Sequence, residues 1–176
     1  MHRLIRHLRT STSFIAIAIT ALVVGGCDHL DNNRIPVVDV RVPFTTIGDW
    51  ETYGVSGAYQ YRYFIKGERI PSGYPYTQLT FTGFGGVLLC ADYMGNPVAY
   101  DLACPVECKN NVRIQVDPQT HIARCPVCGS EYEVCTLNYG YPISGPAADY
   151  GYRLAVYNVT PGPAGEYRVI RNPQFR

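Results

Sequence analysis

Four of the seven cysteines in this 176-residue chain fall in two short knuckles, Cys104-Pro-Val-Glu-Cys108 and Cys125-Pro-Val-Cys128, separated by sixteen residues. A knuckle turns the chain back so that its two sulfurs converge, and two facing knuckles supply the four thiolates of a tetrahedral centre. Three chemistries use such a set. Zn²⁺ would close the tetrahedron and leave no open position for a substrate. A [2Fe–2S] cluster takes the same four-thiolate ligation and would make the protein an electron relay. Disulfides, favoured in oxidising compartments, would leave the site with no cofactor and a purely architectural role. Cys90 and Cys135 lie outside the knuckles in expected strands; they pair as a disulfide or stay buried as small apolar residues.

Other chemistry is sparsely represented. No Gly-x-Ser-x-Gly element is present, and His121, four residues before Cys125, has no nucleophile and acid beside it in sequence, so it reads as a strand residue. The chain has no room for a separate mononuclear iron domain. No catalytic residue is assigned, and the ceiling on activity is a component of a redox system. Tyrosines 53, 59, 61, 63, 74 and 76 offer apolar area with a polar tip, as a binding surface does, but tyrosine is also a good residue for a half-wet sheet face.

The knuckles have to be carried by strands. The sequence is 47% hydrophobic and 16% charged with 15 Tyr, 17 Gly and 13 Pro, which suits short half-buried strands and tight turns rather than a helical bundle. Apolar and polar residues alternate over Val37–Val42 and Ala58–Phe64, the period of strands with one wet face. Gly86–Cys90 reads as a buried strand, and the turn Tyr93-Met94-Gly95-Asn96-Pro97 pairs it with Val98–Leu102 as a hairpin. Further strands are expected at Val112–Val116, His121–Arg124, Glu131–Val134, Tyr152–Val159 and Glu166–Ile170. Gly67–Tyr76 reads as a mobile surface excursion, and no stretch has the apolar spacing of a long helix.

The first 26 residues form a leader. Arg3, Arg6 and Arg9 precede an apolar run from Phe14 to Val24, too short for the about 20 residues that span a bilayer. Val24-Gly25-Gly26-Cys27 resembles the bacterial lipobox, whose cysteine receives diacylglycerol. The expectation is a lipid anchor on Cys27, a tether over 27–34 and an extracytoplasmic domain on a membrane of the bacterial cell envelope. Without the three leader arginines the mature part has 12 basic and 14 acidic residues, net −2, a balance that points to no nucleic-acid partner. The membrane is the one partner the leader implies; a redox or envelope protein is the other expected class.

From about Gly85 to Val159 the chain resembles a Rieske domain, of the kind carried by short lipoproteins of the Bacteroidetes group. The likeness rests on the strand and hairpin of Gly86–Ala103 before the first knuckle, on Cys125-Pro-Val-Cys128-Gly-Ser-Glu-Tyr132, on Gly145-Pro146-Ala147, and on the final strand Leu154–Tyr157. The resemblance implies an all-β fold: a Rieske-like antiparallel sandwich or barrel over 35–171, with a small cysteine-knuckle subdomain inserted at 103–135 and a tail at 172–176. It departs from the family at the ligands, since a Rieske cluster uses two cysteines and two histidines. Val106 stands where the first box would place its histidine and Cys128 where the second would. A cluster on four thiolates would sit at a lower potential than a His-ligated one. The leader also lacks the adjacent arginine pair that exports folded cluster proteins.

Overall fold

The computed structural model describes residues 34–136 and 140–172; the leader, Cys27, the tether up to Asn33 and the tail from 173 lie outside the described residues. The fold is all-β, as expected. Eleven strands appear among the described residues: β1 (Val40–Phe44), β2 (Tyr61–Phe64), β3 (Phe81–Thr82), β4 (Val87–Ala91), β5 (Pro97–Asp101), β6 (Gln115–Val116), β7 (Ile122–Arg124), β8 (Glu131–Glu133), β9 (Pro142–Ser144), β10 (Val156–Pro161) and β11 (Tyr167–Arg171). Two short helices, α1 (Ile47–Tyr53) and α2 (Pro146–Tyr150), accompany them.

Seven strands form one antiparallel sheet in the order β2-β4-β5-β10-β11-β1-β3. It curls almost into a barrel: Lys66, just beyond β2, donates from its ammonium to Thr80 O at 2.9 Å, just before β3. The remaining four strands, β6-β7-β8-β9, form a second sheet. All four lie in sequence between β5 and β10, which are themselves hydrogen-bonded neighbours with Tyr100 opposite Val156. The small sheet therefore grows out of one seam of the large one, and it runs past Cys135 to take in β9.

Strand β4 shows why the sheets stay together. All five of its residues are buried, because alternate side chains enter two different cores. Val87, Leu89 and Ala91 point into the barrel with Val42, Phe44, Phe64 and Val169. Leu88 and Cys90 point outward and, with Tyr100, Leu102 and Leu154, pack against Val116, Ala123, Tyr132 and Val134 of the small-sheet region. The continuous apolar run read from the sequence has this two-sided burial as its cause.

Several boundaries differ from the sequence expectations, each for a local reason. The first strand begins at Val40, where its partners β3 and β11 become available, and Val37 is exposed. Pro43 lies inside β1 beyond the reach of β3, an edge setting that tolerates proline. The Gly67–Tyr76 excursion lies at the surface, as expected, and is pinned to the barrel by one side chain. Tyr74 is buried against Phe44 and Phe64 with ring centroids 5.9 and 5.1 Å away, and its hydroxyl donates to Pro43 O. The expected strand at Val112–Val116 shrinks to Gln115–Val116 plus one bridge, Ala103 to Arg113. β10 starts at Val156 because the residues before it are bonded elsewhere: Tyr152 N–H reaches back to Ala147 O of α2 and Leu154 N–H donates to Gly140 O.

Candidate metal centre

Each knuckle is a single turn closed by a backbone hydrogen bond from residue i+4 to the carbonyl of the first cysteine: Cys108 N to Cys104 O at 2.9 Å, and Gly129 N to Cys125 O at 3.1 Å. In both turns the fifth residue has a left-handed backbone, φ +51° at Cys108 and +73° at Gly129. The turns are thus built alike, but their second cysteines are not placed alike. Cys128 is the fourth residue of its turn and aims back at the first sulfur. Cys108 is the fifth, and the position equivalent to Cys128 is filled by Glu107.

The consequence is visible in the sulfurs. The Sγ atoms of Cys104, Cys125 and Cys128 all lie within 4.8 Å of one another, and Cys104 Sγ is 3.6 Å from Cys128 Sγ. A metal with Zn–S bonds of about 2.3 Å has a tetrahedral edge of about 3.8 Å, so these three sulfurs already stand near the vertices around one ion. Cys108 Sγ is turned away, 3.0 Å from Pro105 O and 3.4 Å from Arg34 O. The four-sulfur expectation therefore resolves into three convergent cysteines and one held by the backbone.

Supports surround the three. Tyr132 Oη is 3.6 Å from Cys104 Sγ, and Ser130 Oγ is 3.1 Å from Cys128 Sγ while accepting Ala147 N–H of α2 at 3.0 Å. Cys104 and Cys125 are buried, and Cys128 is half-buried. Burial pushes the Cys104 thiol up to about 12. Burial also opposes ionisation of Cys128, but the Ser130 hydroxyl and backbone N–H and the two neighbouring sulfurs outweigh it and hold that thiol below the usual range. Three soft sulfur donors select Zn²⁺, Cu(I) or iron–sulfur chemistry over hard cations.

One residue outside the knuckles fixes the first of them to the scaffold. Asp101, the last residue of β5, is fully buried. Its Oδ1 accepts Gly85 N–H at 2.9 Å and Ala103 N–H at 2.7 Å, and its Oδ2 accepts Phe84 N–H at 2.8 Å and the Tyr157 hydroxyl. Burial still pushes its carboxyl above the usual range. Gly85 is required beside it, because a Cβ there would lie 2.4 Å from Ala103 N. No motif announces Asp101; a lone acid ending an apolar strand directly before a cysteine box was the available signal.

Other sequence candidates find different places. Cys90 and Cys135 sit side by side as buried free thiols, not at disulfide bonding distance. Cys90 donates to Val134 O at 3.1 Å, and burial drives its thiol well above the usual range. His121 precedes β7 at a left-handed φ of +58° instead of opening that strand. Its ring stacks on Tyr59 at 4.5 Å. The tyrosines serve packing: Tyr53 donates to Gly73 O, Tyr76 to Ile70 O, and Tyr63 Oη accepts Val116 N–H. No helix among the described residues is long and apolar enough to cross a membrane.

An all-β scaffold presenting a cysteine group able to bind a metal ion is the class that fold and site define. No protein-family model matches the chain, and no curated protein matches it in sequence.

Proposed function

We propose that this protein is an exported lipoprotein, anchored through Cys27, whose Rieske-like domain holds one Zn²⁺ on Cys104, Cys125 and Cys128, with a water or a further side chain completing the tetrahedron, as a tie between the two sheets. The convergence of three sulfurs around one point carries the reading. A [2Fe–2S] cluster divides four ligands between two irons, so any three of them include a pair on different irons, held apart by the iron–iron vector. Three sulfurs all within 4.8 Å of one another suit a single ion better. The insertion of the knuckle-bearing sheet between neighbouring strands of a near-barrel supports the Rieske-like architecture. The metal ties Cys104, which leaves the large sheet, to Cys125 and Cys128 at the β7–β8 turn of the small one. Zinc can be acquired after export, which fits a leader without paired arginines.

Metal analysis with an absorption spectrum, on protein purified anaerobically from its native compartment, tests the reading. The expected result is one zinc per chain and no visible absorption. Two irons per chain with visible bands would replace the structural ion by a low-potential electron relay. A metal-free protein without free thiols in the knuckles would overturn both and leave a disulfide-stapled binding or assembly module of the envelope.

A further inference from the structure

The described chain enters the domain at the cysteine tip. Arg34 Nε donates to Pro105 O at 3.4 Å, the Arg34 carbonyl accepts from Cys108 Sγ at 3.4 Å, and the guanidinium lies 4.6 Å over the Tyr152 ring. Arg34 is thus fastened to the first knuckle and to a residue that follows α2, not to the far end of the scaffold. Seven residue steps separate Arg34 from Cys27, and fully extended they span at most about 25 Å. A compact domain of roughly 140 residues has a diameter of about 37 Å. An acyl anchor on Cys27 therefore cannot reach the bilayer if the tip faces away from it.

The surface at that tip is suited to the boundary of a membrane. Val127, at the crest of the second knuckle, is 62% exposed, and Tyr150, closing α2, is 63% exposed. The Tyr150 and Tyr152 rings lie 5.3 Å apart. Two cationic side chains stand beside them: Arg34, laid over Tyr152, and Lys109, largely exposed and 3.9 Å from Glu107 in a loose ion pair. Aromatic rings with polar tips and long basic side chains are the groups that settle at headgroup level. We infer that the cysteine tip docks on the lipid surface that carries the protein's own anchor, with Val127 and Tyr150 at the contact. The inference rests on the anchoring part of the proposed function and is independent of which metal the centre holds.

The test uses the acylated full chain in vesicles of phosphatidylcholine and phosphatidylglycerol whose acyl chains are brominated close to the headgroup. Val127→Trp places a fluorophore at the tip. Met94→Trp places one on the exposed turn between β4 and β5, at the opposite end of the strand that leads to Cys104. The signal of buried Trp50 is subtracted with unsubstituted protein. The tip tryptophan is expected to be quenched at least threefold more than the control, and Tyr150→Trp repeats the reading should Val127→Trp unfold the knuckle. Equal quenching, or quenching at neither site, would overturn the inference; the latter would reserve the tip for a protein partner. An intact mass lacking acylation at Cys27 would sink the anchor itself, and it is read before any fluorescence.

Discussion

A single residue of spacing separates the two knuckles in what they can do. With two residues between its cysteines, the second turn brings Cys128 round to face Cys125; with three, the first carries Cys108 past that direction and onto the carbonyls of Pro105 and Arg34. Replacing Cys108 by Ser is therefore expected to leave metal content unchanged, whereas Cys128→Ser removes most of it. Loss of metal in both variants, measured by elemental analysis, would restore a four-sulfur centre. Asp101 supports a second expectation. Asparagine keeps one acceptor oxygen but turns an NH₂ toward two of the four donors that now meet the carboxylate. At about 1–3 kcal/mol for each of the two buried donors left unpaired, Asp101→Asn is expected to cost about 2–6 kcal/mol in denaturant unfolding, and Tyr157→Phe clearly less. That Cys125 and Cys128 share one turn was legible because knuckle spacing is a local property, and that Cys104 joins them followed from reading the two knuckles as a facing pair. The departure of Cys108 was not, since a five-residue and a four-residue knuckle differ only in a backbone direction. Asp101 was not legible either, because its donors come from residues 84, 85, 103 and 157.

Elements carried by a continuous apolar run, or by β-prone residues between turn signals, were readable, and those without either were not. The β4–β5 hairpin and the strands at β7, β8 and β11 fall close to their expected places. β3 has two residues and β9 three, and each exists because a neighbour offers a ladder, which no local pattern records. α1 has seven residues with Trp50 as its buried side chain, so no amphipathic repeat could form. Its start was nevertheless written locally. Thr46 accepts Asp49 N–H at 3.0 Å, and Asp49 accepts the backbone N–H groups of Thr45 and Thr46 in return, a capping box. Removing it in Thr46→Ala is expected to cost about 1 kcal/mol, a drop of roughly 4 °C in Tm. The Thr45 hydroxyl, joined by the hydrogen bonds from Thr46 and the Thr45 backbone, outweighs desolvation and holds the Asp49 carboxyl below its ordinary 3.8. Its contribution is therefore present above that value and fades as the pH falls through the lower folded-state value. Because Asp49 is only partly shielded from solvent, the acid limb of a stability profile should shift only slightly when the cap is removed. An unchanged Tm in Thr46→Ala would show that packing of Trp50 on Tyr167, centroids 3.9 Å apart, holds α1 without its cap.

For the whole molecule, the centre joins two sheets that already share a core. Binding that favours the folded state stabilises by about 2.7 kcal/mol when free metal is 100 times its dissociation constant. Chelation is then expected to lower Tm by roughly 10 °C while leaving the far-ultraviolet dichroism of the folded state in place. Collapse of the β signal on chelation at 25 °C would instead make the ion a condition of folding. The all-β class was legible because composition and alternation act over the entire chain. The near-barrel was expected only through the resemblance, which left sandwich and barrel both open, and the strand order was not legible, since it is decided by pairings far apart in sequence.

The shared core also bears on how the chain could be taken apart. Tyr100 and Val156 face each other across adjacent strands, so on paper a short turn from Leu102 to Leu154 would bypass everything between them and leave the near-barrel intact. Such a minimised protein would present Leu88, Tyr100, Leu102 and Leu154 to water as one greasy face. It is expected to run as an aggregate or a self-associated pair on gel filtration unless those four positions are made polar, which makes the cysteine-bearing half a removable module by topology and a permanent one by solubility.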